Sequence, residues 1–279
     1  MNTFTQSAFS SSVSSVKLKA GDFKRVKDLL YEYCGIFLQD GKEALVQSRL
    51  MKRMRKLGIG SFSEYLDFIE RPESGGEFLS FVDVLTTNKT HFFREAQHFE
   101  FIKKNIIPTM DGQNAKWWSA GCSTGEEPVT TAITLHEARR ATSWSSVKIL
   151  ATDISREVLK VAKNGVYPST RMKDVPDSIC RKYFDDIGNN EFRVKENIQS
   201  MITHGRLNLM DDWPLKGNFH VIMCRNVMIY FNRQTQQEVV QKFYDQLQPG
   251  GFLFLGHSES VSSNNKGFKN LAPAVYQKI

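Results

Sequence analysis

The chain has 279 residues, 41% hydrophobic and 24% charged, with a formal net charge of +7. That length suits one large domain, alone or with a small one, and the composition is that of a globular protein. No run of about 18 apolar residues exists, so no membrane span is expected; the four scattered cysteines (Cys34, Cys122, Cys180, Cys224) suggest neither a zinc site nor a disulfide framework and fit a reducing compartment.

Residues 1–20 are rich in Ser and Thr, lack the apolar core of a secretory signal, and read as a mobile tail. Helices are predicted next at 22–34, 42–57, 61–70 and 76–86, making a small all-α domain over 21–86. In the first, Phe23, Val26, Leu30 and Tyr33 recur at helical spacing before Gly35. The second has two faces: Val46, Leu50, Met54 and Leu57 lie on one arc, and Lys42, Arg49, Lys52, Arg53 and Lys56 share an arc of roughly 100°. Charge is concentrated here, with 11 basic residues against 5 acidic ones from Lys17 to Lys56. A solvated helix face is the plain reading; the scarcity of acids favours a surface for an anionic partner.

Residues 87–108 form a linker and a helix, the run from Glu95 to Ile106 being stopped by Pro108. Over 109–279, strands at 116–121, 148–153, 201–207, 218–224 and 251–256 alternate with helices at 126–140, 155–163 and 234–247. That alternation predicts a mostly parallel sheet covered on both faces. NNEFRVKENIQS (189–200) breaks the pattern and is expected to be a small antiparallel β insertion, bounded at about 186–201.

In open sheets of this kind, ligands lie beyond the carboxyl ends of the strands. WSAGCSTGEEP (118–128) reads as strand, small-residue turn and helix, and ILATDIS (149–155) as a strand closing on Asp153. A loop with exposed backbone N–H groups, followed by an acid at the next strand end, suits an adenosine-containing ligand. The loop is not GxGxxG, so nicotinamide chemistry is not favoured. Glu127 can serve the helix dipole or face a cationic part of the ligand. Asp153 can hold ribose hydroxyls or cap a helix, and Asn208 can close a turn. Arg225 and Asn226 follow the apolar strand FHVIMC, where an Arg is costly unless paired, which favours a site role.

TTNKTHFFREAQHF, WSAGCSTGEEP, ATDIS and CRNVMIYF, in this order and spacing, resemble the CheR family of chemotaxis receptor methyltransferases, from about residue 22 onward. The resemblance implies an α/β, class I AdoMet-dependent methyltransferase fold, Rossmann-like and doubly wound, with an all-α N-terminal domain. It implies S-adenosylmethionine (AdoMet) as methyl donor and S-adenosylhomocysteine (AdoHcy) as product. The acceptors would be glutamate γ-carboxylates of methyl-accepting chemotaxis receptors. Asn88, Thr90, Arg94 and Glu127 would contact the methionine end, Asp153 the ribose, and Asn208 with Leu209 the adenine. Arg225 and Asn226 would line the acceptor side, with Tyr230 near the incoming glutamate; Arg94 and Tyr230 are the candidate catalytic pair. Lys42, Arg49, Lys52, Arg53 and Lys56 would dock on acidic receptor helices.

The resemblance also implies a cytoplasmic monomer at receptor arrays on the inner membrane, with no metal, no nucleic acid and no membrane insertion. The compact loop IGNNEF (187–192) favours direct recognition over a receptor peptide tether. Two alternatives stand beside this reading. One is an RNA methyltransferase whose basic helix holds phosphates, with Phe92, Phe93, Tyr230 and Phe231 for stacking. The other is a non-catalytic receptor-binding module with a degenerate pocket.

Overall fold

The computed structural model describes residues 16–110, 114–138 and 146–279, and the chain divides into two units, Met1–Thr87 and Asn88–Ile279. The expected tail lies outside the described residues as far as residue 15. Leu18 donates its N–H to Gln47 at 2.9 Å, and Ala20 already opens the first helix.

The first unit is helical: α1 (Ala20–Cys34), α2 (Glu43–Leu57), α3 (Phe62–Ile69) and α4 (Glu77–Leu85). Apolar residues spaced three and four apart meet in its core, with Phe23, Val26, Leu30, Val46, Leu50, Met54, Tyr65, Leu66 and Phe81 all buried. Leu57 is the exception to the predicted packing arc, being 38% exposed at the last turn of α2.

The second unit carries ten strands among its described residues. They are β1 (Asn114–Ala120), β2 (Ser146–Asp153), β3 (Val166–Pro168), β4 (Phe184–Asp186), β5 (Glu191–Val194), β6 (Ile202–Arg206), β7 (Phe219–Cys224), β8 (Leu247–Leu255), β9 (Phe268–Ala272) and β10 (Val275–Lys278). Its helices are α5 (Ala96–Phe101), α6 (Glu126–Ala138), α7 (Arg156–Asn164), α8 (Asp177–Tyr183), α9 (Glu196–Gln199) and α10 (Arg233–Gln246). The main sheet runs β6-β2-β1-β7-β8-β10-β9, and β3-β5-β4 form a separate small antiparallel sheet. The central pairings are parallel, and β10 alone runs antiparallel, lying between β8 and β9.

Adjacent tryptophans show why both faces of the sheet are covered. Successive strand side chains point to opposite faces. Trp117 joins the cluster of Phe99, Ile102, Val129 and Ile133, while Trp118 meets the rings of Trp213, Phe219 and Phe243. Burying a large side chain of this kind contributes about 2–3 kcal/mol. Trp118 also donates its indole N–H to Thr152 Oγ1 at 2.8 Å.

Some elements differ from expectation. The insertion is a hairpin, β4–β5, joined by β3 from the earlier segment VYP, and residues 196–199 turn into helix instead of strand. Three-residue strands carry too little alternation to read, whereas Glu196 provides an acid in the first turn of α9. β9 and β10 were not predicted; FKNLA and VYQK are short and mix polar with apolar residues. The predicted helix 95–106 is α5 followed by a π turn over Ile102–Ile106. The predicted end of helix 126–140 falls outside the described residues, which stop at Ala138 there.

Candidate active site

The strand order reverses between β1 and β7, the position where doubly wound sheets open a crevice at their carboxyl ends. Gly121 follows β1 at φ 86°, and a Cβ there would stand 2.4 Å from Val227 Cγ2, so the loops leaving β1 and β7 touch. Gly121 and Cys122 both donate to Thr152 O, at 2.8 and 2.9 Å. Ser123, left-handed at φ 49°, donates its N–H to Asp153 Oδ2 at 2.8 Å and its hydroxyl to Asn88 O at 3.1 Å.

Asp153 is thus bound to the loop that it was expected to face. Its second oxygen accepts from Ser155 N–H at 2.9 Å, and it is 8% exposed. It is not the helix cap: Ser155 caps α7, its Oγ accepting from Val158 N–H. Both carboxylate oxygens therefore accept backbone N–H groups, which fixes the side chain at the carboxyl end of β2.

Arg225 ends β7 with its side chain only 2% exposed. Nη1 donates to Glu127 at 3.1 Å, and Nη2 donates to Glu95 at 3.0 Å and to the carbonyl of Arg94. Phe99 lies under the guanidinium, 5.6 Å from its carbon. Glu127 also accepts from Ser119 Oγ at 2.7 Å. Burial pushes the Glu127 carboxyl above its ordinary value, against the attraction of Arg225 and the Ser119 hydrogen bond. At Glu95 burial acts upward too, but the charge and hydrogen bonds of Arg225, with His257 N–H, outweigh it and bring the carboxyl down.

The other predicted residues spread over three segments. Arg94 is half-buried, its Nη1 donating to Lys89 O at 2.8 Å, and Thr90 is half-buried in the same segment. Asn208 and Leu209 follow β6 and are buried; Asn208 binds Asp211 at 3.0 Å and Met210 N–H at 3.1 Å. Asn226 is left-handed at φ 60°, and its buried Oδ1 has no hydrogen-bond partner. Tyr230 closes the one-turn 3-10 helix Met228–Tyr230.

Sequence reasoning missed Glu95, Glu126, His98, His257 and Glu259. Glu126, fully buried, is held by Thr124 Oγ1 at 2.6 Å and by Arg171, and Tyr167 donates to Thr124 O at 2.9 Å. The run of two acids in TGEE and the HSE after β8 were the available signals. Glu95, His98 and His257 bring ligand atoms within 4.8 Å of one another, the spacing of a metal-binding trio. Arg225, however, sits 3.0 Å from the same Glu95 oxygen that faces both imidazoles, so a cation would compete with the guanidinium.

The cationic face expected on α2 needs correction. Arg49 donates to Leu85 O at 2.8 Å and Thr86 O at 3.0 Å, satisfying carbonyls at the end of α4. Arg53 is bound to the buried Glu77, with Nε at 2.6 Å. Lys42, Lys52 and Lys56 are exposed, and so is Arg55, which the predicted arc omitted. A groove of about 720 Å³ runs along this helix between Ala44, Gln47, Ser48, Met51, Lys52 and Arg55.

A left-handed small-residue loop, an aspartate fixed at the next strand end, and an unpartnered buried amide oxygen at the switch point fit an adenosyl ligand carrying a polar amino-acid end. With the sheet order and its single antiparallel strand, they define a class I AdoMet-dependent methyltransferase. The family model "CheR methyltransferase, SAM binding domain" matches residues 88–276, and "CheR methyltransferase, all-alpha domain" matches 21–86. The chain belongs to the CheR methyltransferase family. It is 36% identical to a chemotaxis protein methyltransferase of Borreliella burgdorferi over the whole of both chains. It is 37% identical to that of Escherichia coli, over 93% of this chain and 91% of that one. Chemotaxis protein methyltransferase 2 of Pseudomonas aeruginosa is 38% identical, with 91% of this chain and 92% of the relative aligned. Among the described residues no helix is long and apolar enough to cross a membrane.

Proposed function

We propose that the chain methylates glutamate γ-carboxylates on acidic helices of chemotaxis receptors, giving methyl esters. The observation that carries this reading is the Arg225 clamp, which fixes Glu127 beside the cofactor loop and Glu95, next to Arg94, on the same guanidinium. AdoMet supplies a methyl group on a cationic sulfur. Glu127 faces the cationic end of that molecule, Asp153 holds its ribose, and Asn88 and Thr90 contact its methionine end. Asn208 and Leu209 flank the adenine. Arg94 orients the incoming carboxylate, and Tyr230 stands beside it.

A glutamate carboxylate is ionised near neutral pH, with a reference pKa of about 4.3. It needs no base to become a nucleophile, so the protein's work is alignment of oxygen, methyl carbon and sulfur, which can supply several kcal/mol. Receptor docking falls to Lys42, Lys52, Arg55 and Lys56, whose charges are exposed, and the interaction weakens with salt.

The test is transfer of labelled methyl from AdoMet to an acidic receptor fragment, with and without its C-terminal tail, and to RNA. Base-labile label on the fragment is expected. Label on RNA alone would establish the nucleic-acid reading instead. No transfer, with no calorimetric binding of AdoHcy, would establish a non-catalytic module.

A further inference from the structure

We propose that Glu259 is a positioning residue for methyl transfer: its buried carboxylate fixes the loop after β7 and so places Asn226, Val227 and Tyr230 against the cofactor crevice. The inference rests on the active-site reading above and extends it to a residue beyond the expected set.

Glu259 follows β8 in GHSES (256–260) and is 8% exposed. Oε2 accepts from Gly256 N–H at 2.6 Å and Asn226 N–H at 2.8 Å, and Oε1 accepts from Ile229 N–H at 3.0 Å. Among the described residues it forms no ion pair. A carboxylate is an acceptor only, so it alone among side chains of this size takes three converging donors without presenting one of its own. Without it, three backbone N–H groups, that of Gly256 buried and those of Asn226 and Ile229 partly buried, would lose this partner.

The approach of the two loops is close. A Cβ on Gly256 would stand 2.5 Å from Asn226 Nδ2 and 2.8 Å from both Asn226 N and Glu259 Oε2. The bonds at Asn226 and Ile229 bracket Val227 and Met228. They therefore hold the left-handed turn at Asn226, from which Nδ2 reaches Glu95 at 3.3 Å. They also hold Val227 against Gly121 of the cofactor loop, and the 3-10 turn that ends on Tyr230.

The experiment compares the full chain with Glu259→Gln, Glu259→Asp and Tyr230→Phe. Methyl transfer at saturating AdoMet, AdoHcy affinity and amide exchange over 226–230 are measured. The Gln variant keeps the shape but turns an NH2 towards backbone donors. Its kcat is expected to fall about 10- to 100-fold, with AdoHcy affinity held within about threefold and Ile229 exchange faster by about tenfold. The Asp variant, which keeps the charge, should recover part of kcat, and it provides the same split if the Gln variant does not fold. A kcat within twofold of wild type in Glu259→Gln, or a loss of AdoHcy affinity equal to the loss of kcat, would overturn the proposal. Tyr230→Phe separates the claims: full activity there, beside a slow and loosened Glu259→Gln, supports Glu259 and removes Tyr230 from the proposed mechanism.

Discussion

Arg225 and Glu127 lie on different elements, 98 residues apart in sequence, and meet at 3.1 Å where the arginine side chain is 2% exposed. Through this pair the end of β7 and the first turn of α6 become one wall of the crevice, and Glu95 joins from the other nitrogen of the guanidinium.

Removing the cation should be costly. Arg225→Met leaves Glu95 and Glu127 buried without a counter-charge, and loss of one partner of a buried pair typically costs about 3–5 kcal/mol. Urea denaturation near neutral pH measures it. Adding Glu127→Gln to Arg225→Met should restore part of that loss, since one of the two stranded charges is then gone. If the double variant is no more stable than the single one, the pairing is not what Arg225 contributes.

Gly121→Ala combines two penalties, a left-handed φ of 86° and a Cβ 2.4 Å from Val227. It should lower stability by about 1–3 kcal/mol and weaken AdoHcy binding by about tenfold or more in calorimetry. Val227→Ala in the same chain relieves the clash and leaves the backbone penalty. Only partial recovery is therefore expected.

His98 gives a pH dependence of definite sign. Burial, reinforced by Arg225, lowers its pKa to about 4. The folded imidazole stays neutral while an unfolded one takes up a proton below its ordinary value, so stability present above about pH 6.5 is lost as pH falls towards 4. The loss amounts to about 3 kcal/mol at most. Glu95, held low, acts in the same direction; Glu127 and Glu259, raised by burial, act in the opposite one. Comparing urea midpoints at two pH values between wild type and His98→Phe isolates the histidine, and the variant should lose less on acidification.

The basic helix divides into structural and exposed cations. Arg53→Ala leaves the buried Glu77 without its guanidinium and should lower the melting temperature. Lys52→Glu with Arg55→Glu should leave melting nearly unchanged but raise KM for a receptor fragment, most strongly at low salt. Equal melting losses in both variants would contradict the division.

The architecture was legible because strand and helix periods alternate so regularly from Trp117 onward, and the crevice because its loops carry Gly, Ser and Asp at strand ends. The partners of those residues were not legible. Nothing local marks Glu95 as the second anchor of Arg225, because its role depends on a strand 130 residues away. Likewise, spacing on a helical wheel grouped Arg49 and Arg53 with the lysines, yet only the fold puts α4 carbonyls and Glu77 within their reach. Glu259 looked like one polar residue in a loop because its three donors are backbone groups, which no side-chain pattern announces.

The antiparallel strand β10 bears on biosynthesis. It lies between β8 and β9, so β9 has no seat in the sheet until Lys278 has been synthesised. On the ribosome the nascent domain must therefore wait with the edge of β8 uncovered, an edge of Phe252, Leu253 and Phe254 that invites pairing with a neighbouring chain. A shortened translation product ending before β10 would contain the crevice residues in its sequence yet leave that edge of β8 uncovered.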